Sequence, residues 1–141
     1  MANFTYFIRE RVKLNGLERG TSVEKTISGV NFADSRVMTI PTGSVTEIIN
    51  LNNLPGAGTF VSSSVKYARI TNLSTGSINL EVSGSLSTMH FLVSGSGTFM
   101  FSTEFVDSGS FDPSFTYGDL RSVKGSPTDS TATLSYFICT T

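Results

Sequence analysis

The stretch YARITNLSTGSINLEVSG, residues 67–84, sets two alternating apolar segments on either side of a polar Ser-Thr-Gly turn. Val65, Tyr67, Ile78, Leu80 and Val82 fall at every second position, which predicts strands with one face on a core and the other in water. Short alternating runs broken by turn signals recur on both sides of it. They are predicted at 23–27, 36–40, 45–51, 59–61, 65–73, 78–82, 89–93, 98–101 and 132–139. Pro41-Thr-Gly43 and the stretch 52–58 break the chain, proline fixing φ and glycine supplying positive φ. Gly95-Ser-Gly97 is expected to close a tight hairpin, because alternation resumes at once with Phe99 and Phe101. Eight or nine strands with few helix formers predict an all-β chain: an antiparallel β-sandwich or jelly roll with Greek-key connections, with a small closed barrel as the structural alternative.

A length of 141 residues suits one domain. A chain of this size buries roughly 68 to 70% of its unfolded surface, enough for a core without disulfides or metals. Cys139 is the single cysteine, set in the apolar run LSYFIC, and reads as a small buried hydrophobe. A formal net charge of −1 gives no field favouring nucleic acid or anionic membranes. No segment has the length of a membrane span and the first residues lack a basic-then-apolar leader, so a soluble, unexported chain is expected. The sequons at Asn3 and Asn72 then read as ordinary loop or strand-edge asparagines.

The opening stretch differs from the rest. Arg9, Glu10, Arg11, Lys13, Glu18, Arg19, Glu24 and Lys25 crowd charge of both signs into it, whereas the remainder is charge-poor. Residues 1–20 are expected to form an arm or first strand and 21–141 a single sandwich domain. FTYFI favours a strand, Phe4, Ile8 and Val12 also fit a helical stripe, and Asn15-Gly16 marks a turn. Residues 107–129, rich in Ser, Gly, Asp and Pro, read as a long ordered loop in which Phe111, Phe115 and Tyr117 either pin the loop to the body or face a partner. Candidate partner contacts are therefore Phe4, Tyr6, Ile8, Arg9 and Arg11 in the arm, with Phe111, Phe115 and Tyr117 in the late loop. Ser and Thr on the outward strand positions leave little charge to oppose edge pairing, a surface suited to packing in an assembly.

Catalytic chemistry has little to stand on. His90 is the only histidine, and no G-x-S-x-G elbow accompanies it, so a triad is not expected. One histidine and one cysteine exclude the usual zinc sites. Glu47, Glu81 and Glu104 in predicted strands and Asp107, Asp112, Asp119 and Asp129 in the late loop are scattered as polar faces scatter them, although a glycosidase pair needs only two carboxylates across a groove. Asp107 to Asp112 offers hard oxygens but lacks the EF-hand spacing. Neither Gly56-Ala-Gly58 nor Gly95-Ser-Gly97 opens a predicted helix that would cradle phosphate. No cofactor, no metal and no enzymatic activity are expected.

The order SRVMTIPTGSVTEIINL, VKYARITNLSTGSINLEV, MHFLVSGSGTFMFS and TATLSYFIC resembles the small virion proteins of tailed bacteriophages, including a Y-x-R-I-x-N strand matched by Tyr67, Arg69, Ile70 and Asn72. The resemblance covers about residues 35 to 139. It implies a capsid decoration or cement protein on the virion surface, made in the host cytoplasm, whose partners are the major capsid protein and copies of itself, often as a trimer. A tail, collar or fibre component is the alternative within the virion. A carbohydrate-binding module is the alternative outside it, with Tyr6, Tyr67, Tyr117 and Tyr136 standing in for absent tryptophan as sugar platforms.

Overall fold

A computed structural model of the chain describes residues 2–51, 65–86, 88–102, 106–107, 117–118 and 120–141. Two four-stranded antiparallel sheets pack face to face. The first takes β5 (Phe32–Ile40), β14 (Ala132–Thr140), β7 (Val65–Asn72) and β10 (Thr98–Ser102), in that order. The second takes β6 (Thr46–Asn50), β13 (Leu120–Pro127), β8 (Ile78–Gly84) and β9 (Thr88–Val93). Thus β5, β6, β7 and β8 pair in turn with β14, β13, β10 and β9. That is one long antiparallel ribbon rolled so that alternate pairs fall in opposite sheets, the strand order of a jelly roll. Four further strands form the amino-terminal arm, β1 (Ala2–Arg9), β2 (Val12–Leu14), β3 (Leu17–Arg19) and β4 (Ser22–Val30), and the short pair β11 (Val106–Asp107) and β12 (Tyr117–Gly118) completes the set.

Alternation builds the core. Ile78, Leu80 and Val82 face inward from β8, as expected, and meet Leu134, Tyr136 and Ile138 from β14 together with Ile40, Ile49, Leu51, Ile70 and Val123. At the open side between edge strands β9 and β10, the rings of Phe91, Phe99 and Phe101 close the sandwich, with centroids 4.7 and 5.8 Å apart. In β7 the inward positions are Ala68, Ile70 and Asn72, one residue out of step with the expected set. Tyr67 is buried all the same, because it lies on the opposite face beneath the arm, and Val65 reaches the core only past a register shift at Cys139/Thr140.

Three other expectations are corrected. Gly95-Ser-Gly97 does not close a hairpin: β9 pairs with β8 and β10 with β7, so the turn is a corner between sheets, as is the Ser-Thr-Gly turn between β7 and β8. The late loop contains a central strand, β13, whose inward positions include Leu120, Val123, Gly125 and Pro127. Gly125 hides the strand from pattern reading because its side of the core is already filled; an added Cβ there would lie 2.7 Å from the Ile48 side chain. Asn72 is no strand-edge filler. It is buried, its Nδ2 lies 2.7, 3.1 and 3.3 Å from the carbonyl oxygens of Gly76, Ser94 and Val93, and its Oδ1 accepts from the Ser74 N–H at 3.0 Å. One side chain thus ties both inter-sheet corners together. The expected strand at 59–61 lies outside the described residues.

Candidate interaction surface

The arm is one two-stranded ribbon. Pairing runs in a single register from Asn3 opposite Ser28 to Leu14 opposite Leu17, and closes at Asn15-Gly16, both at positive φ (51° and 79°). Two consecutive residues at positive φ make the turn whose twist matches that of the strands, and Asn-Gly is the pair that adopts it most readily. The strand reading of FTYFI therefore holds and the helical stripe does not. Gly20 is required where the strands cross at close quarters, since any Cβ there would enter the Glu10 carbonyl.

Unbroken register assigns the faces. Phe4, Tyr6, Ile8, Glu10, Val12 and Leu14 share one face with their partners Ile27, Lys25, Val23, Thr21, Arg19 and Leu17. At the root this stripe is seated on the outer face of β7 and β14. The Phe4 ring lies 4.9 Å from those of Tyr67 and Phe137, Tyr6 lies 4.8 Å from Tyr67, and Ile27 and Cys139 are buried beside them. The Tyr6 hydroxyl hydrogen-bonds the Ser102 hydroxyl at 2.7 Å, fastening the arm to β10. Toward the tip the same stripe has no cover: Val23, Val12, Leu14 and Leu17 are 47, 52, 56 and 61% exposed. A free two-stranded ribbon is marginal in water, and the apolar side chains along its outer length form an uncovered hydrophobic surface.

Of the expected contacts, Phe4 and Tyr6 are engaged within the chain and Ile8 is half-buried where the seated part of the stripe gives way to the free part. Arg9 and Arg11 point to the opposite face, Arg11 in an exposed ion pair with Glu18 at 2.6 Å. Phe111 and Phe115 lie outside the described residues; Tyr117 belongs to β12 and pairs with Asp107 through the backbone. Leu14, Leu17, Arg19 and Val23, which share this face, were not among the expected contacts. The signal for them is the Asn15-Gly16 pair, about which β-alternation on both sides puts them on the face of Phe4.

Across the outer face of the second sheet runs a charged row, Glu47, Lys124, Glu81 and His90, each opposite the next in register. Glu81 lies 3.7 Å from Lys124 and 3.4 Å from His90. His90 is exposed, and the row is a cross-strand polar ladder in which Glu81 lies between Lys124 and His90. No group of three or more metal-ligating side chains occurs among the described residues. The groups with the largest pKa displacements sit in packing: burial pushes the Cys139 thiol up to about 11, and burial with the hydrogen bond to Asp34 pushes Tyr136 up to about 12. Tyr67 and Tyr136 are buried on both ring faces and offer no platform for a sugar. No family model and no curated protein matches the chain.

Proposed function

We propose that this chain is a structural virion protein of a tailed bacteriophage that decorates and cements the capsid shell. The observation that carries the reading is the apolar stripe of the arm, seated on its own sandwich at the root and uncovered at Val12, Leu14, Leu17 and Val23. A rigid sandwich that presents an adhesive ribbon has the anatomy of a staple. Binding only to an assembled lattice lowers the free energy of that state by mass action, and no bond is made or cut. The jelly-roll order agrees with this reading by analogy alone, since the same order serves capsid proteins, lectins and cupins. The buried rings of Tyr67 and Tyr136 weigh against the carbohydrate-binding alternative.

Quantitative mass spectrometry of purified particles tests the proposal. A copy number equal to that of the major capsid protein, or a simple fraction of it, supports shell decoration. Copies at the level of tail proteins move the chain to the tail, collar or fibre, and absence from particles ends the virion reading.

A further inference from the structure

We infer that β5 is the seat of a two-fold pair. It zips antiparallel to the β5 of a second copy, with Ser35 on the axis, and joins two four-stranded sheets into one continuous sheet. The edge is open: β5 ends the first sheet, and no described strand lies beyond it. Val37 is 68% exposed, and Ala33, Ser35, Arg36 and Thr39 are exposed beside it. Natural edge strands are guarded by shortness, proline, lysine or a bulge. β5 has none of these. It runs nine residues, FADSRVMTI, in unshifted register with β14, whereas the other edges, β6, β9 and β10, have five, six and five.

The sequence of β5 chooses the occupant, because it is complementary to itself. In a two-fold antiparallel pair about Ser35, Asp34 faces Arg36 of the other copy and Arg36 faces Asp34. Ala33 meets Val37, a small side chain under a large exposed one, and Phe32 meets Met38, both half-buried. Moving the axis one residue, to Asp34 or to Arg36, sets like charges opposite each other; the Ser35 axis alone sets Asp34 against Arg36. The charges are already placed at the edge. The Tyr136 hydroxyl and Arg36 Nε hold the Asp34 carboxylate at 2.8 and 3.1 Å, and the Arg36 side chain is 48% exposed. Across the axis the four groups close a ring of alternating sign. The arm does not obstruct the pair. Its root crosses from Phe137 on β14 over Tyr67 on β7 to Ser102 on β10, and so heads away from β5.

The inference goes beyond the capsid reading and does not require it, because its test uses the isolated full chain. The wild type is expected to sediment as a dimer at high concentration. Positions 34 and 36 are both acidic in the Arg36→Asp chain and both basic in the Asp34→Arg chain. Each variant alone is expected to dimerise at least tenfold more weakly than the wild type, and an equimolar mixture to form a one-to-one heterodimer that salt weakens. A second measurement leaves the ion pairs intact. Ser35→Cys, on the axis, is expected to form its own interchain disulfide under mild oxidation at least tenfold faster than Thr39→Cys, whose counterpart is eight residues along the strand and about 26 Å away; native Cys139 is buried. A wild type that stays monomeric at high concentration, a mixture that dimerises no better than its components, or equal linkage through Ser35→Cys and Thr39→Cys would each overturn the assignment. Any of these leaves the particle copy number as the measure of the capsid reading.

Discussion

The ring of Phe4 stacks on that of Phe137, centroids 4.9 Å apart and planes 23° from parallel. The contact locks the root of the arm over β14, and with Tyr67 and Ile27 it seals Cys139 from solvent. The arm is thus part of the fold at one end and an external ribbon at the other.

Phe4→Ala removes this stack and the contact with Tyr67. A buried aromatic truncated to alanine costs about 3 to 5 kcal/mol, and a half-buried ring at the lower end of that range, about 3 kcal/mol. The arm is expected to lift before the sandwich unfolds. Alkylation of Cys139 measures it: the thiol of the wild type reacts slowly, being buried and shifted up to about 11, and that of Phe4→Ala is expected to react at least tenfold faster while the sandwich keeps its near-ultraviolet signal. Equal rates would separate the arm from the burial of Cys139.

Asn72→Asp is nearly isosteric, yet it aims a carboxylate at the carbonyls of Gly76, Ser94 and Val93 where Asn72 aims an amide. An unpaired buried charge of this kind costs about 3 to 5 kcal/mol. The folded state favours the protonated acid, so the variant is expected to be closest to wild type below the ordinary aspartate pKa of about 3.9 and to lose stability as pH rises above it. Denaturant melts at pH 3.5 and pH 7 check the sign; a larger deficit at the lower pH would contradict the role given to Asn72.

The Tyr136 hydroxyl donates to Asp34 Oδ2 at 2.8 Å, and Arg36 holds the same carboxylate at 3.1 Å. Tyr136 is raised from 10.0 to about 12, Cys139 from 9.0 to about 11, and Tyr67 in the same direction, all chiefly by burial. Each is an acid held neutral by folding, so its contribution is complete below its unfolded pKa and is lost as pH rises through the folded value. Stability is expected to be level up to about pH 9 and to fall from there to pH 12. Tyr136→Phe is expected to cost about 1 kcal/mol at pH 7 and to flatten the upper part of the fall, which urea melts across that range record.

The sandwich was legible wherever apolar alternation was strong, as in β8 and β14. β13 escaped because two of its inward positions are Gly125, whose place the core fills from Ile48 and Ile40, and Pro127, neither of which reads as a strand residue. The β7 phase escaped because both of its faces are covered, one by the second sheet and the other by the arm, so Tyr67 and Ile70 are both buried and local pattern cannot rank them. The pairing of β7 with the distant strands β10 and β14 was beyond local reading, since a turn between sheets and a hairpin turn use the same residues. The arm was marked by its charges, but its working face was not. The charges lie largely on the opposite face, and the stripe emerges only when alternation is continued through Asn15-Gly16.

Amide hydrogen exchange tests the central claim, that the arm tip is a surface completed only by a partner. In the dilute chain, the amides of 3–8 and 23–28 are expected to be protected with the sandwich and those of 12–19 to exchange freely. At high protein concentration, or in the assembled state, residues 12–19 are expected to gain at least tenfold protection. A tip already as protected as the root in the dilute chain, or one that remains unprotected in every assembled state, would contradict the account.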